Sequence, residues 1–353
     1  TAEIGQLPHL TGMHLNVCLS FNPGQLKFPT TLTHLELSGP SGFDSRPSDF
    51  ASLGTINLLR LNLTPSYLSP TKLAKMLPCI PTTLQVLDFG TKINHHMLKP
   101  ETAEVFLQNA SEFSRLVNLR QISGVPSFSP TPMHAFAQAI SQLPIRNLAM
   151  PGFWLGDDNA ILLSDTPLVQ RLCELRCKSI TPTLIPSQLL RQMTALETLE
   201  ICLPQTDTEY FIALSSLPNL QYLQLEGNFP ETAMTSIRFV NLQHFIINNY
   251  QHSLDTIQLT NVSHWLSESF NLHKLQFPGA ESMLVFDVVA QLLSLLPELY
   301  EVIVGPTPLI EEQFRDFSAK TQWSSLRILH MSDNKNILSG MGMLGNLEQR
   351  NNT

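Results

Sequence analysis

Charge is sparse in this chain. Only 14% of its 353 residues are charged, and 29 acidic residues outnumber 21 basic ones, for a net charge of −8 at pH 7. A surface for nucleic acid or an anionic membrane needs the opposite sign, or at least a basic stripe, and the sequence has neither. Long apolar runs are missing as well. The most apolar stretch, Met283 to Leu296, is broken by Asp287 and Gln291 and is too short to span a bilayer. Cysteine is scarce and odd in number, with Cys18, Cys79, Cys173, Cys177 and Cys202 spread irregularly. Small secreted domains carry denser, paired cysteines, so a reducing cytoplasm or nucleus is the expected compartment. Asparagine sequons at Asn62, Asn109, Asn261 and Asn351 would favour secretion, but such triplets arise by chance in a chain rich in Asn, Ser and Thr. The sequence starts at Thr1 without a charged and apolar leader, which is the expectation for a fragment or processed form of a longer chain.

A 43% apolar content places the chain among folded proteins, and its length exceeds one ordinary core. The choice is therefore between two domains and a repeat array. The unit L-x-x-L-x-L, plain at Leu220-Gln221-Tyr222-Leu223-Gln224-Leu225, recurs thirteen times. Its first anchors are Leu10, Leu32, Ile56, Leu84, Leu119, Ile145, Leu172, Leu196, Leu220, Leu242, Leu272, Leu299 and Leu326. The third anchor is apolar in every frame except at Gly124. A column not used to choose the frames supports them. Three residues before the first anchor stand Leu7, Pro29, Leu53, Pro81, Leu116, Val169, Met193, Leu217, Phe239, Leu296 and Trp323. That is apolar or Pro in eleven of thirteen frames.

The second and third anchors are two residues apart, so in an extended strand they face the same side. One short strand per unit then turns its leucines to a core and its intervening residues outward. The rest of the unit must return the chain to begin a parallel neighbour. Helical returns are expected over Glu101 to Leu116, Pro132 to Leu143, Leu184 to Met193, Asp207 to Leu217, Leu254 to Leu266 and Ser282 to Leu296. The expected fold is an α/β solenoid covering residues 1–353 as a single domain of about thirteen repeats.

On these residues the chain resembles leucine-rich-repeat proteins of the long, irregular, intracellular kind, over Leu7 to Leu347. The resemblance implies a horseshoe with a parallel concave sheet and helices on the convex side. Many members carry Asn three residues after the third leucine. Here only Asn228 and Asn334 match, while other frames hold Pro40, Thr64, Lys92, Phe153 or Pro204. The uneven repeats and the missing asparagine ladder look more like the repeats of F-box substrate receptors than like the regular extracellular type. That likeness implies a ubiquitin-ligase substrate receptor. The competing readings are a sensor or effector arm of an immune receptor or secreted microbial effector, and a GTPase activator or enzyme.

Motifs of other chemistries have structural places in the repeat. Gly340-Met341-Gly342-Met343-Leu344-Gly345 spells a dinucleotide fingerprint, but it does not directly follow a strand. Cys177 is a third anchor facing the core, Cys173 precedes the strand, and no zinc-spaced partner surrounds them. Adjacent His95 and His96 make a poor chelate. No cofactor, no metal, no catalytic residue and no small-molecule substrate is expected.

Function is expected in the outward columns, as capture of a protein partner. The middle column reads His14, Glu36, Arg60, Asp88, Ser123, Ala149, Arg176, Glu200, Gln224, Ile246, Gln276, Ile303 and His330. The adjoining column adds His34, Glu174, Tyr222, His244, Lys274 and Glu301. Mixed signs with interspersed Tyr and Ile suit a protein better than a polyanion. Arg60, Asp88, Glu174, Arg176, Glu200, Tyr222, Gln224, His244 and Lys274 are the candidate binding residues, with Arg176, Glu200 and Tyr222 foremost. Trp154, beside Phe153 on an edge loop, is a candidate anchor.

Overall fold

The computed structural model describes residues 7–16, 27–38, 50–63, 74–89, 109–124, 138–150, 164, 166–177, 185–203, 208–227, 234, 236–248, 254–278, 284–305 and 325–331. The chain divides into two compact units, Thr1–Leu196 and Glu197–Thr353. The first holds β1 (Gly12–Asn16), β2 (His34–Ser38), β3 (Arg60–Leu63), β4 (Val86–Asp88), β5 (Gln121–Ser123), β6 (Asn147–Met150) and β7 (Glu174–Cys177). The second holds β8 (Thr198–Leu203), β9 (Tyr222–Gly227), β10 (His244–Asn248), β11 (Lys274–Phe277), β12 (Glu301–Val304) and β13 (Ile328–Met331). Within each unit the strands lie side by side in sequence order, and every described pairing is parallel. With helices on the returns and no strand out of order, this is the leucine-rich-repeat solenoid fold.

One backbone position per coil organises the stack. The carbonyl just before each strand accepts two N–H groups from the next coil. Thr11 receives Thr33 and His34 at 2.9 and 3.0 Å, and Thr33 receives Leu59 and Arg60 at 2.8 and 3.0 Å. Leu59, Gln85, Arg120 and Arg146 continue the series in the first unit. Glu197, Gln221, Gln243, His273 and Tyr300 repeat it in the second. The apolar column before the anchors has its own backbone role. The carbonyls of Leu7, Pro29, Pro81, Leu116, Met193, Ser269 and Leu296 accept the N–H of the anchor three residues on, which turns the chain into the strand.

This ladder corrects the third frame. Register pairs Leu35 with Leu61 and Leu37 with Leu63, so the anchors are Leu58, Leu61 and Leu63 rather than Ile56, Leu59 and Leu61. Leu58, Leu61 and Leu63 are at most 1% exposed, while Leu59 is half-buried and serves the ladder with its backbone. Arg60 therefore stands in the adjoining column beside His34, and Asn62 takes the middle column beside Glu36.

Six return helices are described: α1 (Ala110–Ser114), α2 (Pro167–Arg171), α3 (Ser187–Gln192), α4 (Thr208–Ser215), α5 (Thr256–Leu266) and α6 (Leu284–Leu295). Four lie within expected segments, and α1 lies in residues 109–116, the described part of Glu101 to Leu116. Of Pro132 to Leu143, residues 138–141 are described and helical. The helix α2 was not foreseen, since five residues are too few to show a period. Two other returns contain 3₁₀ turns, Ala51–Thr55 and Leu77–Cys79, the second with Pro in its first turn and directly after helical residues 74–76.

The core lies between strands and returns. In the second unit Trp265 of α5 stacks on Phe211 of α4 with centroids 4.6 Å apart, and Phe239 meets its edge at 6.2 Å. Asp255 caps α5, accepting from the Gln258 N–H at 2.7 Å while the Gln258 side chain accepts from the Asp255 N–H at 3.1 Å. Strand exits are tight. Gly227 has φ of +100°, and a Cβ there would come within 2.6 Å of the Leu203 carbonyl. Gly124, the one non-apolar third anchor, has φ of 69°, and the neighbouring coil supplies the fully buried Phe89 at the equivalent column.

Asn261, one of the sequon asparagines, is fully buried on α5, and its Oδ1 accepts the Met234 N–H at 2.7 Å. It fastens one coil to the next. Asn261→Ala should destabilise the protein by about 1–3 kcal/mol in denaturant unfolding, because a buried donor loses its acceptor. A change under about 0.5 kcal/mol, the range of an ordinary surface substitution, would remove this role.

Candidate outer-face site

In each strand the anchors point to the core and the alternate residues to the outer face. In β3 Leu61 and Leu63 are buried while Arg60 and Asn62 are more open, and in β7 Leu175 and Cys177 are buried while Glu174 and Arg176 are more open, following this period of two. The expected site residues all lie on that face wherever the structure describes them. Trp154 and Phe153 lie outside the described residues, as do His95, His96, the Gly340 segment and Asn228 and Asn334.

In the first unit the candidates form one tied group and two separate residues. Glu174 accepts from Asn147 Nδ2 at 2.7 Å and pairs with Arg176 Nε at 2.5 Å. Arg176 sits two residues along the same strand, with its side chain 44% exposed. A half-exposed pair of this kind adds little stability. It does fix the direction of the guanidinium. Arg60 is exposed and Asp88 half-buried, on neighbouring strands but in different columns.

In the second unit several candidates are tied to one another or to their neighbours. Tyr222 donates its hydroxyl hydrogen to Gln224 Oε1 at 3.1 Å, and Gln224 Nε2 donates to Glu226 Oε1 at 2.6 Å. Asn248 Nδ2 reaches the same Glu226 oxygen at 3.5 Å. The Tyr222 and His244 rings meet edge to face at 5.8 Å, and Lys274 pairs with Glu301 at 2.7 Å. Glu226 and Asn248 were missed by sequence reasoning, although the same period of two, carried one step past the middle column, reaches them.

Openness is where expectation fails. Glu200 is only 3% exposed, and Gln224 and Ile246 are 9% exposed. Parallel strands ~4.8 Å apart crowd a long side chain in the middle column from both sides, and Gln224 is further enclosed by its bonds within β9. Glu200 is thus not an exposed anchor. The reachable candidates of this unit are Tyr222, His244 and Lys274, all half-buried.

Burial holds the Cys202 thiol above its usual range, and the Glu226 carboxylate pushes it further the same way. Cys79 is raised by burial, against the opposing pull of Arg115. Neither is an activated thiolate. Among the described residues no three His, Cys, Asp or Glu are placed to hold a metal, and no helix is long and apolar enough to cross a membrane. A cavity of about 240 Å³ lined by Leu217, Pro218, Leu220, Phe239, Val240 and Asn241 lies among the turns rather than on the strand face. It is smaller than ordinary small-molecule sites.

His244 is held below the usual histidine range, first by burial, then by Lys274 and His273, with Glu301 opposing. A depressed folded value means the unfolded chain binds the proton more tightly. The stability this gives is present above about pH 6.5 and is lost as pH falls through the folded value. The Tm of the protein should therefore drop more between pH 8 and pH 5 than that of His244→Gln. Equal drops would show that His244 is not desolvated.

No family model matches this chain, and no curated protein matches it. Solved structures do. The chain is similar to the Toll protein of the Drosophila Toll–Spatzle complex, with 13% identity over 86% of this chain and 36% of that one, at a TM-score of 0.42. It is similar to TLR13 in its complex with ssRNA13, with 15% identity over 87% and 50% of the two chains and a TM-score of 0.45. Yeast Rad7, in complex with Elc1, gives 14% identity over 82% and 80% and a TM-score of 0.45. The chain spans half or less of the length of the first two.

Proposed function

We propose that this chain is a non-catalytic protein-interaction module that binds a protein partner on the outer face of its strands, and that it serves as the substrate-recognition part of an F-box-type ubiquitin-ligase receptor. The observation that carries the reading is the outer face itself. Parallel register sets aromatic, cationic and hydrogen-bonding groups at fixed intervals, with Arg176, Tyr222, His244 and Lys274 at its reachable positions. A face meant only for solvation would hold flexible Lys and Glu rather than Tyr222 tied to Gln224 and His244. The ligase role is supported by the irregular repeats and the absent asparagine ladder.

A photo-crosslinking residue placed at Tyr222 or His244 should capture a protein partner in cells, while one at the return-side Leu295 should not. Arg176→Glu combined with Tyr222→Ala should weaken the captured complex at least tenfold, about 1.4 kcal/mol, without lowering Tm. Capture from Leu295 alone would overturn the outer-face reading. For the ligase role, the captured protein should carry less ubiquitin and live longer when the double variant replaces the natural chain. An unchanged lifetime would leave a binding module of another kind.

A further inference from the structure

The corrected third frame changes the chemistry of the middle column in the first unit. With Arg60 there, signs would alternate. With Asn62 there instead, β2 to β5 present Glu36, Asn62, Asp88 and Ser123 in consecutive register, each with a side-chain oxygen that accepts. The row covers three strand spacings, ~14 Å. Ser123 is only 4% exposed, and its hydroxyl has no hydrogen-bond partner. The Asn62 Oδ1 is likewise shielded and has none. Native proteins satisfy buried polar atoms in nearly every case, so two such oxygens on the strands flanking one carboxylate call for an explanation. Here the deficit is of donors. His14 pairs with Glu36 at 3.7 Å at the start of the row, whereas Arg60 and His34 stand exposed in the adjoining column, and Arg60 forms no ion pair among the described residues.

We infer that Asp88, between Asn62 and Ser123 on the adjacent strands, receives an arginine side chain of the protein partner. A guanidinium brings five N–H donors in a planar fork and no acceptor, which matches a carboxylate flanked by an amide oxygen and a hydroxyl on adjacent strands. A lysine ammonium is a compact point charge and cannot reach acceptors on three strands together. The Asn62 and Ser123 oxygens are shielded in the free protein, so the guanidinium parts the rim side chains as it enters. The inference rests on the outer-face reading and assigns one specificity element within it.

A random-peptide display library panned on the full chain tests it. Recovered peptides should share an arginine, with binding weakened several-fold by lysine in its place and at least tenfold by neutral citrulline. Asp88→Asn should cost at least tenfold in affinity. Ser123→Ala should weaken binding while leaving Tm unchanged or higher, because it removes an unpartnered buried hydroxyl; a purely structural serine would lower Tm instead. Peptides indifferent to Asp88→Asn and Ser123→Ala but lost on Tyr222→Ala would remove this assignment and keep the outer-face reading. Peptides indifferent to all three would remove both. Failure to recover an arginine-bearing binder would also overturn the assignment.

Discussion

At eleven described positions a coil offers the next one backbone carbonyl, and that carbonyl accepts two N–H groups. The bond pair recurs from Thr11 to Arg146 in the first unit and from Glu197 to Tyr300 in the second. It lies at the strand entry, one residue beyond the first anchor, and so it sets register before any side chain packs. Once register is set, the period of two decides which residues face the core and which face outward. Lengths of the returns are then free to vary. A return carrying the 3₁₀ turn Ala51–Thr55 and one carrying the twelve-residue helix Leu284–Leu295 deliver the chain to the same kind of strand start.

The leucine columns were legible because burial on one face of a short strand leaves a period that composition cannot hide. The third frame was not, because Ile56-Asn57-Leu58-Leu59-Arg60-Leu61-Asn62-Leu63 satisfies the unit in two registers. Leu53, three residues before Ile56, favoured the wrong one, and the structure uses it to end a 3₁₀ turn instead. A signal was present: the right frame changes neighbouring spacings of 24 and 28 residues to 26 and 26. Shifting it by two residues exchanges Arg60 for Asn62 in the middle column and changes what that surface can recognise.

Outward placement was legible, but openness was not. Glu200 and Gln224 occupy the expected column yet are nearly inaccessible. Burial on a parallel sheet depends on neighbours some 22 to 30 residues away in sequence, which a local pattern cannot see. Networks such as Tyr222–Gln224–Glu226–Asn248 depend in addition on side-chain reach. They make the surface stiff. A partner meets groups already oriented, which lowers the ordering cost of association.

The sequon at Asn261 gains a meaning in time. Its amide is fully enclosed on α5 and holds Met234 of the preceding coil. In a folded chain no sugar-transferring enzyme can reach it. A glycan at Asn261 would therefore date its own attachment to a moment before this coil closed, and would then keep it from closing. The triplet that on a loop would be an address acts here as a record of whether folding came first.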